Sequence, residues 1–143
     1  MKDNSQHLDS RAFGLAEWAR ATFSNAGIPE SAVLVPVSDD ASFRRYFRFN
    51  EGGAGLVFVD APPAKEDNQS FVKISSALCE AGLNCPEVKG CDYSLGYLAV
   101  TDLGNRLYFD ELIDNPSAMP LLYEDAIQAI LKFLPITCEL PPY

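Results

Sequence analysis

Over roughly residues 9–26, apolar positions recur at helical spacing. Ala12, Leu15, Ala19, Phe23 and Ala26 align as one stripe, and Trp18 flanks it. Gly27 and then Pro29 supply a stop. The pattern then changes. Val33–Val37 reads as a strand, Ser38-Asp39-Asp40-Ala41-Ser42 as a short polar turn, and Phe43–Phe49 as a strand rich in aromatics. Asn50-Glu51-Gly52-Gly53-Ala54-Gly55 is a flexible turn, and Leu56–Val59 is a third strand stopped by Pro62 and Pro63. These connections are too short for parallel crossovers, so the three strands are expected as an antiparallel meander.

A helix is expected next, roughly over Asp67–Ala81, with Phe71, Ile74, Leu78 and Ala81 as its apolar stripe and Gly82 capping its end. Val88–Asp92 and Tyr97–Thr101 read as a second hairpin turning near Tyr93–Gly96. Five strands and one inserted helix therefore occupy residues 33–101, an α+β arrangement. Composition shifts after that: residues 102–143 hold seven acids and two bases. Asp102-Leu103-Gly104-Asn105 reads as a linker, and Tyr108–Ile113 as a short helix. A longer helix is expected up to Pro135, capped by Ser117 and tolerating Pro120 in its first turn. Leu122, Ala126, Ile127, Ile130, Leu131 and Leu134 give it a wide apolar face. Little chain remains to cover that face before Leu140-Pro141-Pro142-Tyr143, so the sequence is expected to stop in mid-fold.

Charge and composition narrow the functional classes. The length of 143 residues suits one ordinary domain, and a hydrophobic content of 48% argues against disorder. Twenty acids against 11 bases leave a net charge of −9, which disfavours nucleic acid and anionic membranes as partners. Met1–Ser10 is polar and lacks the apolar core of a signal peptide, and runs such as Leu56–Val59 fall far short of a membrane span. A cytoplasmic location is expected. Cys79, Cys85, Cys91 and Cys138 form no Cys-x-x-Cys pair, and only His7 could join them as a nitrogen ligand. Neither zinc nor a disulfide is expected, and the four read as free, mostly buried thiols.

The densest chemical feature is Ser38-Asp39-Asp40-Ala41-Ser42-Phe43-Arg44-Arg45-Tyr46-Phe47-Arg48, which places three of the 11 bases within five residues. Strand alternation points Phe43, Arg45, Phe47 and Phe49 one way and Arg44, Tyr46 and Arg48 the other. The backbone N–H groups and hydroxyls of the turn could line a concavity for an anion, with the adjacent arginines adding attraction to phosphate. The competing reading is an exposed hairpin edge whose arginines discourage aggregation. Other motifs fail. Gly52-Gly53-Ala54-Gly55 is followed by no Lys-Ser or Lys-Thr and starts no helix. Asp110 and Asn115 match the spacing of a kinase catalytic loop, but Tyr108-Phe109 stand where His-Arg should, the segment reads as a helix, and no Asp-Phe-Gly follows. Asn68-Gln69-Ser70 is a glycosylation sequon that means nothing in a cytosolic chain. No Ser/His/Asp set can be built.

Taken together, Asp40-Ala41-Ser42-Phe43-Arg44-Arg45-Tyr46-Phe47-Arg48 resembles the first hairpin of the aminoglycoside-phosphotransferase family, and more narrowly of the bacterial N-acetylmuramate/N-acetylglucosamine anomeric kinases. Asp60-Ala61-Pro62-Pro63 with Lys65-Glu66-Asp67 is similar to that subgroup's third strand and helix entry. Thr101-Asp102-Leu103-Gly104 looks like its hinge, and Leu140-Pro141-Pro142-Tyr143 like a segment early in its large lobe. The match runs over nearly all of this chain but only the first part of the family's length.

The resemblance implies a kinase-like small lobe over residues 1–101, a hinge at 102–105 and the start of a helical large lobe at 106–143. It implies ATP-dependent phosphorylation of an amino sugar at its anomeric hydroxyl, in cell-wall sugar recycling, with Mg2+ bound outside these residues. Asp40, Ala41, Ser42 and Phe43 would cover the phosphates. Val100, Thr101, Asp102 and Leu103 would hold the adenine through the backbone. Arg44, Arg45 or Lys65 would replace the usual third-strand lysine, which is missing from Leu56-Val57-Phe58-Val59-Asp60. Glu66 or Asp67 could hold such a base, although helix capping also suits Asp67. The catalytic Asp, the metal ligands and the sugar pocket would lie in the large lobe, so no turnover is expected from this chain alone. A non-catalytic nucleotide-binding or regulatory module is the alternative.

Overall fold

In the computed structural model, residues 10–37 and 43–135 are described. The elements are α1 (Ser10–Thr22), a 3-10 turn (Ser24–Ala26), β1 (Leu34–Pro36), β2 (Arg45–Phe49), β3 (Leu56–Asp60), α2 (Asn68–Glu80), β4 (Val88–Asp92), β5 (Tyr97–Thr101), α3 (Tyr108–Asp114), a second 3-10 turn (Pro116–Ala118) and α4 (Met119–Phe133). The chain divides into two units. One holds α1 and the whole sheet; the other holds residues 70–87 and the segment from Leu103 onward.

The first unit is an antiparallel five-stranded sheet in the order β1-β2-β3-β5-β4. The α+β expectation, the meander and the second hairpin are all found. β1 is shorter than Val33–Val37, yet pairing continues past both of its ends: Val37 N–H donates to Tyr46 O, and Asn50 N–H donates to Val33 O. The order settles one of the two readings of the arginine-rich strand. β2 is flanked on both sides, by β1 and β3, so its arginines do not guard an edge.

The helix α1 packs because three positions of its stripe, with Ala16 beside them, are small or aliphatic and can lie flat on the sheet. Ala12, Leu15, Ala16 and Ala19 are buried, and they meet Phe47, Phe49, Phe58, Tyr97 and Ala99. The aromatic rings pack edge to face, with Phe49 and Phe58 centroids 5.2 Å apart and Phe23 and Phe58 5.9 Å apart. Trp18 and Phe23 extend the cluster as partly buried residues. The helical stripe therefore reads correctly from the sequence, but α1 ends at Thr22, and Ala26 belongs to the 3-10 turn.

A fully buried carboxylate borders this packing. Asp60 ends β3 with none of its surface exposed. Its Oδ1 accepts Arg11 Nε at 2.7 Å, and its Oδ2 accepts Arg45 Nε at 3.0 Å and Nη2 at 2.5 Å. Arg45 is its direct cross-strand partner. Arg11 comes from α1, lies over the Tyr97 ring and also donates to Leu95 O at 2.8 Å. The Tyr97 hydroxyl in turn donates to Arg11 O at 3.0 Å. One carboxylate thus joins α1, β2 and β3 through charge-assisted bonds.

The β4–β5 hairpin closes on Asp92, whose Oδ1 accepts Leu95 N–H, Ser94 Oγ and Ser94 N–H at 2.7–2.9 Å. Gly96 completes the turn with φ at 71°, and a Cβ there would sit 2.2 Å from Ala61 O. Only glycine fits that approach. Lys89 is bulged out of the β4–β5 ladder, where the register shifts between Val88 and Gly90.

In the second unit, α2 ends as expected at Gly82, whose φ is 74°. Gly82 N–H donates to Cys79 O and Leu83 N–H to Leu78 O, the paired bonds of a Schellman turn. Ser117 does not cap α4 as expected. A 3-10 turn precedes that helix, and Ser117 Oγ bonds Asn115 Oδ1 instead. Pro120 sits in the first turn of α4, where its missing N–H is harmless. The wide apolar face is real: Ile127, Ile130, Leu131 and Leu134 are all more than half exposed.

Two outcomes follow. Asp60→Ala is expected to destabilise the sheet unit by about 3 kcal/mol, the low end for breaking a buried ion pair, because both arginines are more than a third exposed and can rehydrate. Urea unfolding followed through Trp18 fluorescence measures this; a loss below about 1 kcal/mol would place Asp60 among ordinary surface pairs. The second outcome concerns acid. Donation from Leu95 N–H and then from Ser94 holds the Asp92 carboxyl below its ordinary range. The turn's contribution is therefore complete above that ordinary range and disappears only as pH falls through the lowered value. Amide exchange at Leu95 should stay protected down to about pH 4; loss of protection above that pH would contradict the turn's geometry.

Candidate functional site

The arginine-rich segment and its surroundings build the first locus. Asp40, Ala41 and Ser42 lie outside the described residues. Phe43 and Arg44 follow them directly, ahead of β2. Phe43 is exposed, and Lys65 Nζ lies 5.2 Å from its ring centroid. Arg44 Nη2 meets Glu66 Oε2 at 3.0 Å, and both side chains are only 17% exposed. Lys65 and Glu66 are brought here by a tight turn after β3, in which both of their N–H groups donate to Pro62 O. The turn leads into an open recess of about 430 Å³ lined by residues 63–69 and Tyr93. Asn68 forms part of its wall, is buried and donates from Nδ2 to Ala61 O at 2.8 Å.

Arg45 has a different setting. It lies on the α1 face of the sheet, with its guanidinium on Asp60 and over the Phe47 ring at 5.6 Å. The expected alternation along the strand holds, since Phe47 and Phe49 share that face and are buried. Arg44, Arg45 and Arg48 each meet a carboxylate, from Glu66, Asp60 and Asp102 respectively. The segment is therefore locally charge-matched, which its run of three bases did not reveal.

The second locus is the end of β5. Val100 is buried, Thr101 pairs with Leu56, and Asp102 N–H donates to Gly55 O at 2.9 Å. Arg48 grips Asp102 with a two-pronged fork, Nε to Oδ2 at 2.5 Å and Nη2 to Oδ1 at 2.6 Å. The bond to Asp102 holds the Arg48 guanidinium above its ordinary pKa, against the opposing effect of burial. Leu103 is half exposed and belongs to the second unit. β2 and β5 run in the same direction, each antiparallel to β3. Arg44 and Asp102 therefore stand at opposite ends of the sheet, six residue steps apart along the strands, roughly 20 Å.

Other sequence candidates fall out of the site. Asp110 lies on α3 and Asn115 at its end, so the catalytic-loop spacing there belongs to a helix, as expected. Among the described residues no group of three or more His, Cys, Asp or Glu side chains could hold a metal ion. No described helix is long and apolar enough to cross a membrane. The recess beside Glu66 had no signal in the sequence beyond the Pro62-Pro63 stop, because its walls come from a turn, a helix start and the β4–β5 hairpin.

No protein-family model matches the chain. Curated relatives do. An N-acetylmuramate/N-acetylglucosamine kinase of Pseudomonas aeruginosa is 41% identical over 114 residues, which is 78% of this chain and 33% of that protein. The protein of the same name from Pseudomonas putida is 42% identical over 112 residues, covering 77% of this chain and 32% of its own length. One from Neisseria meningitidis serogroup B is 31% identical over 109 residues, covering 73% and 32%. The chain thus spans about a third of the length of these relatives, and over that span it is a homologue of the N-acetylmuramate/N-acetylglucosamine kinases.

Proposed function

We propose that this chain is the ATP-binding part of an amino-sugar kinase that phosphorylates the anomeric hydroxyl of N-acetylmuramate or N-acetylglucosamine. The observation that supports it most is the Arg44–Glu66 pair beside Lys65, in a chain homologous to kinases of that name. Phosphoryl transfer rests on positioning and on neutralising charge. A guanidinium whose direction is fixed by a carboxylate from the neighbouring turn can meet phosphate oxygens with little ordering left to do. On this reading Arg44 and Lys65 take the role of a third-strand lysine, and Glu66 takes the role of its acidic partner. Asp40, Ala41, Ser42 and Phe43 cover the phosphates, and the backbone of Val100, Thr101, Asp102 and Leu103 holds the adenine. Arg45 serves the scaffold through Asp60 rather than the nucleotide.

Metal ligands, the catalytic base and the sugar pocket are assigned to the two thirds of the relatives' length that the chain does not span. No catalytic step is attributed to this chain.

Titration calorimetry tests the nucleotide site. ATP should bind, and Arg44→Ala should weaken it about tenfold, equivalent to about 1.4 kcal/mol, while leaving adenosine binding and the circular dichroism spectrum unchanged. Equal ATP affinity in the two proteins would remove Arg44 from the site. Phosphate transfer to N-acetylmuramate by this chain alone should be undetectable; robust turnover would refute the assignment of catalysis to the remaining length.

A further inference from the structure

Two cysteines in the second unit form a pair that the kinase reading does not use. Cys79 lies in the last turn of α2, and Cys85 lies six residues on, in the segment that returns toward β4. Their Sγ atoms are 3.0 Å apart, and both residues are free thiols of intermediate exposure. That exposure departs from the expectation of buried cysteines. The neighbourhood fixes this approach. The Schellman turn at Gly82 reverses the chain, and Ser75, one helical turn before Cys79, donates from Oγ to Pro86 O at 2.7 Å. The return segment is thereby laced along one face of α2. A disulfide requires a separation of about 2.05 Å, so closure needs a movement of about 1 Å.

We propose that Cys79 and Cys85 form a reversible oxidation site, a dithiol that a small hydroperoxide converts into an intramolecular disulfide at the end of α2. Burial, together with the adjoining Cys79 sulfur, pushes the Cys85 thiol up to about 11, so Cys85 is protonated at neutral pH. Cys79 is assigned the first attack and Cys85 the resolving step. Its thiolate forms an S–O bond as the peroxide O–O bond breaks, giving a sulfenic acid and releasing hydroxide or alkoxide. Cys85 then loses its proton and attacks that sulfur; the S–S bond forms, the S–O bond breaks, and hydroxide leaves. With hydrogen peroxide, two thiols give up two electrons and two protons, and two waters result. A thiol reductant reverses the change by exchange at either sulfur.

The sequence makes the test direct. No Lys or Arg lies between Lys73 and Lys89, so trypsin releases Cys79 and Cys85 together on one peptide, Ile74–Lys89, separate from Cys91 and Cys138. The chain is treated with hydrogen peroxide, blocked with iodoacetamide, digested and weighed. The expected result is that this peptide loses two hydrogens and escapes alkylation, in preference to oxidation at Cys91, and that dithiothreitol restores it. In a Cys85→Ser chain with an unchanged circular dichroism spectrum, Cys79 should instead accumulate a sulfenic acid that dimedone traps. The proposal is overturned if both cysteines remain alkylatable while Cys91 oxidises, if the peptide gains oxygen without losing hydrogen, or if either cysteine bridges to Cys91 or Cys138.

Discussion

The sheet unit depends on the solvation of one carboxylate. A charged Asp60 with no exposed surface is tolerable only if both of its oxygens are occupied by cations. The fold meets this requirement from two directions, with Arg11 from the helix and Arg45 from the neighbouring strand. The requirement then propagates. Arg11 also fastens the β4–β5 turn through Leu95 and lies on Tyr97, so the helix position, the strand register and the hairpin are specified by the same charge. An ion pair of this kind adds little net energy over a hydrophobic replacement, but it penalises every arrangement that leaves the carboxylate alone.

That constraint also divides the labour among the three clustered arginines. Arg45 is committed to holding the strands together. Arg48 is committed to Asp102, where it secures the end of β5 to the middle of the sheet. Arg44 differs because its carboxylate partner comes from a turn that borders a recess, with Lys65 and the exposed Phe43 ring beside it. A site for an anionic ligand is therefore better argued from Arg44 and Lys65 than from the arginine run as a whole.

Much of the fold was legible in the chain because its signals are local. The Ala12–Leu15–Ala19 stripe, the two proline stops and Gly82 are each read within a few residues, and each produced the element expected of it. The β4–β5 hairpin was legible for the same reason, since a short turn joins its strands, but the register shift at Lys89 was not. Interactions between distant positions were not legible. Asp60 looked like the tail of a strand, and nothing near it in sequence announces that Arg11, 49 positions earlier, will donate to it. The pairing of Arg48 with Asp102 spans 54 positions and was hidden for the same reason. Ser117 failed as a cap because Pro116 starts a 3-10 turn that takes up the place where a capping geometry would form. In the candidate site, Glu66 was named as a possible holder of a base, but only the backbone turn at Pro62 determines that the base is Arg44.

The two outer strands carry a further consequence. An open sheet offers unpaired N–H and C=O groups on both flanks, and a long flat flank invites another chain to add to it. Here β1 is three residues long and ends in Pro36, which has no N–H to donate. On the opposite flank β4 is interrupted by the bulge at Lys89, which twists the strand and puts a charge on the rim. Both borders are thereby blunted against the addition of another strand.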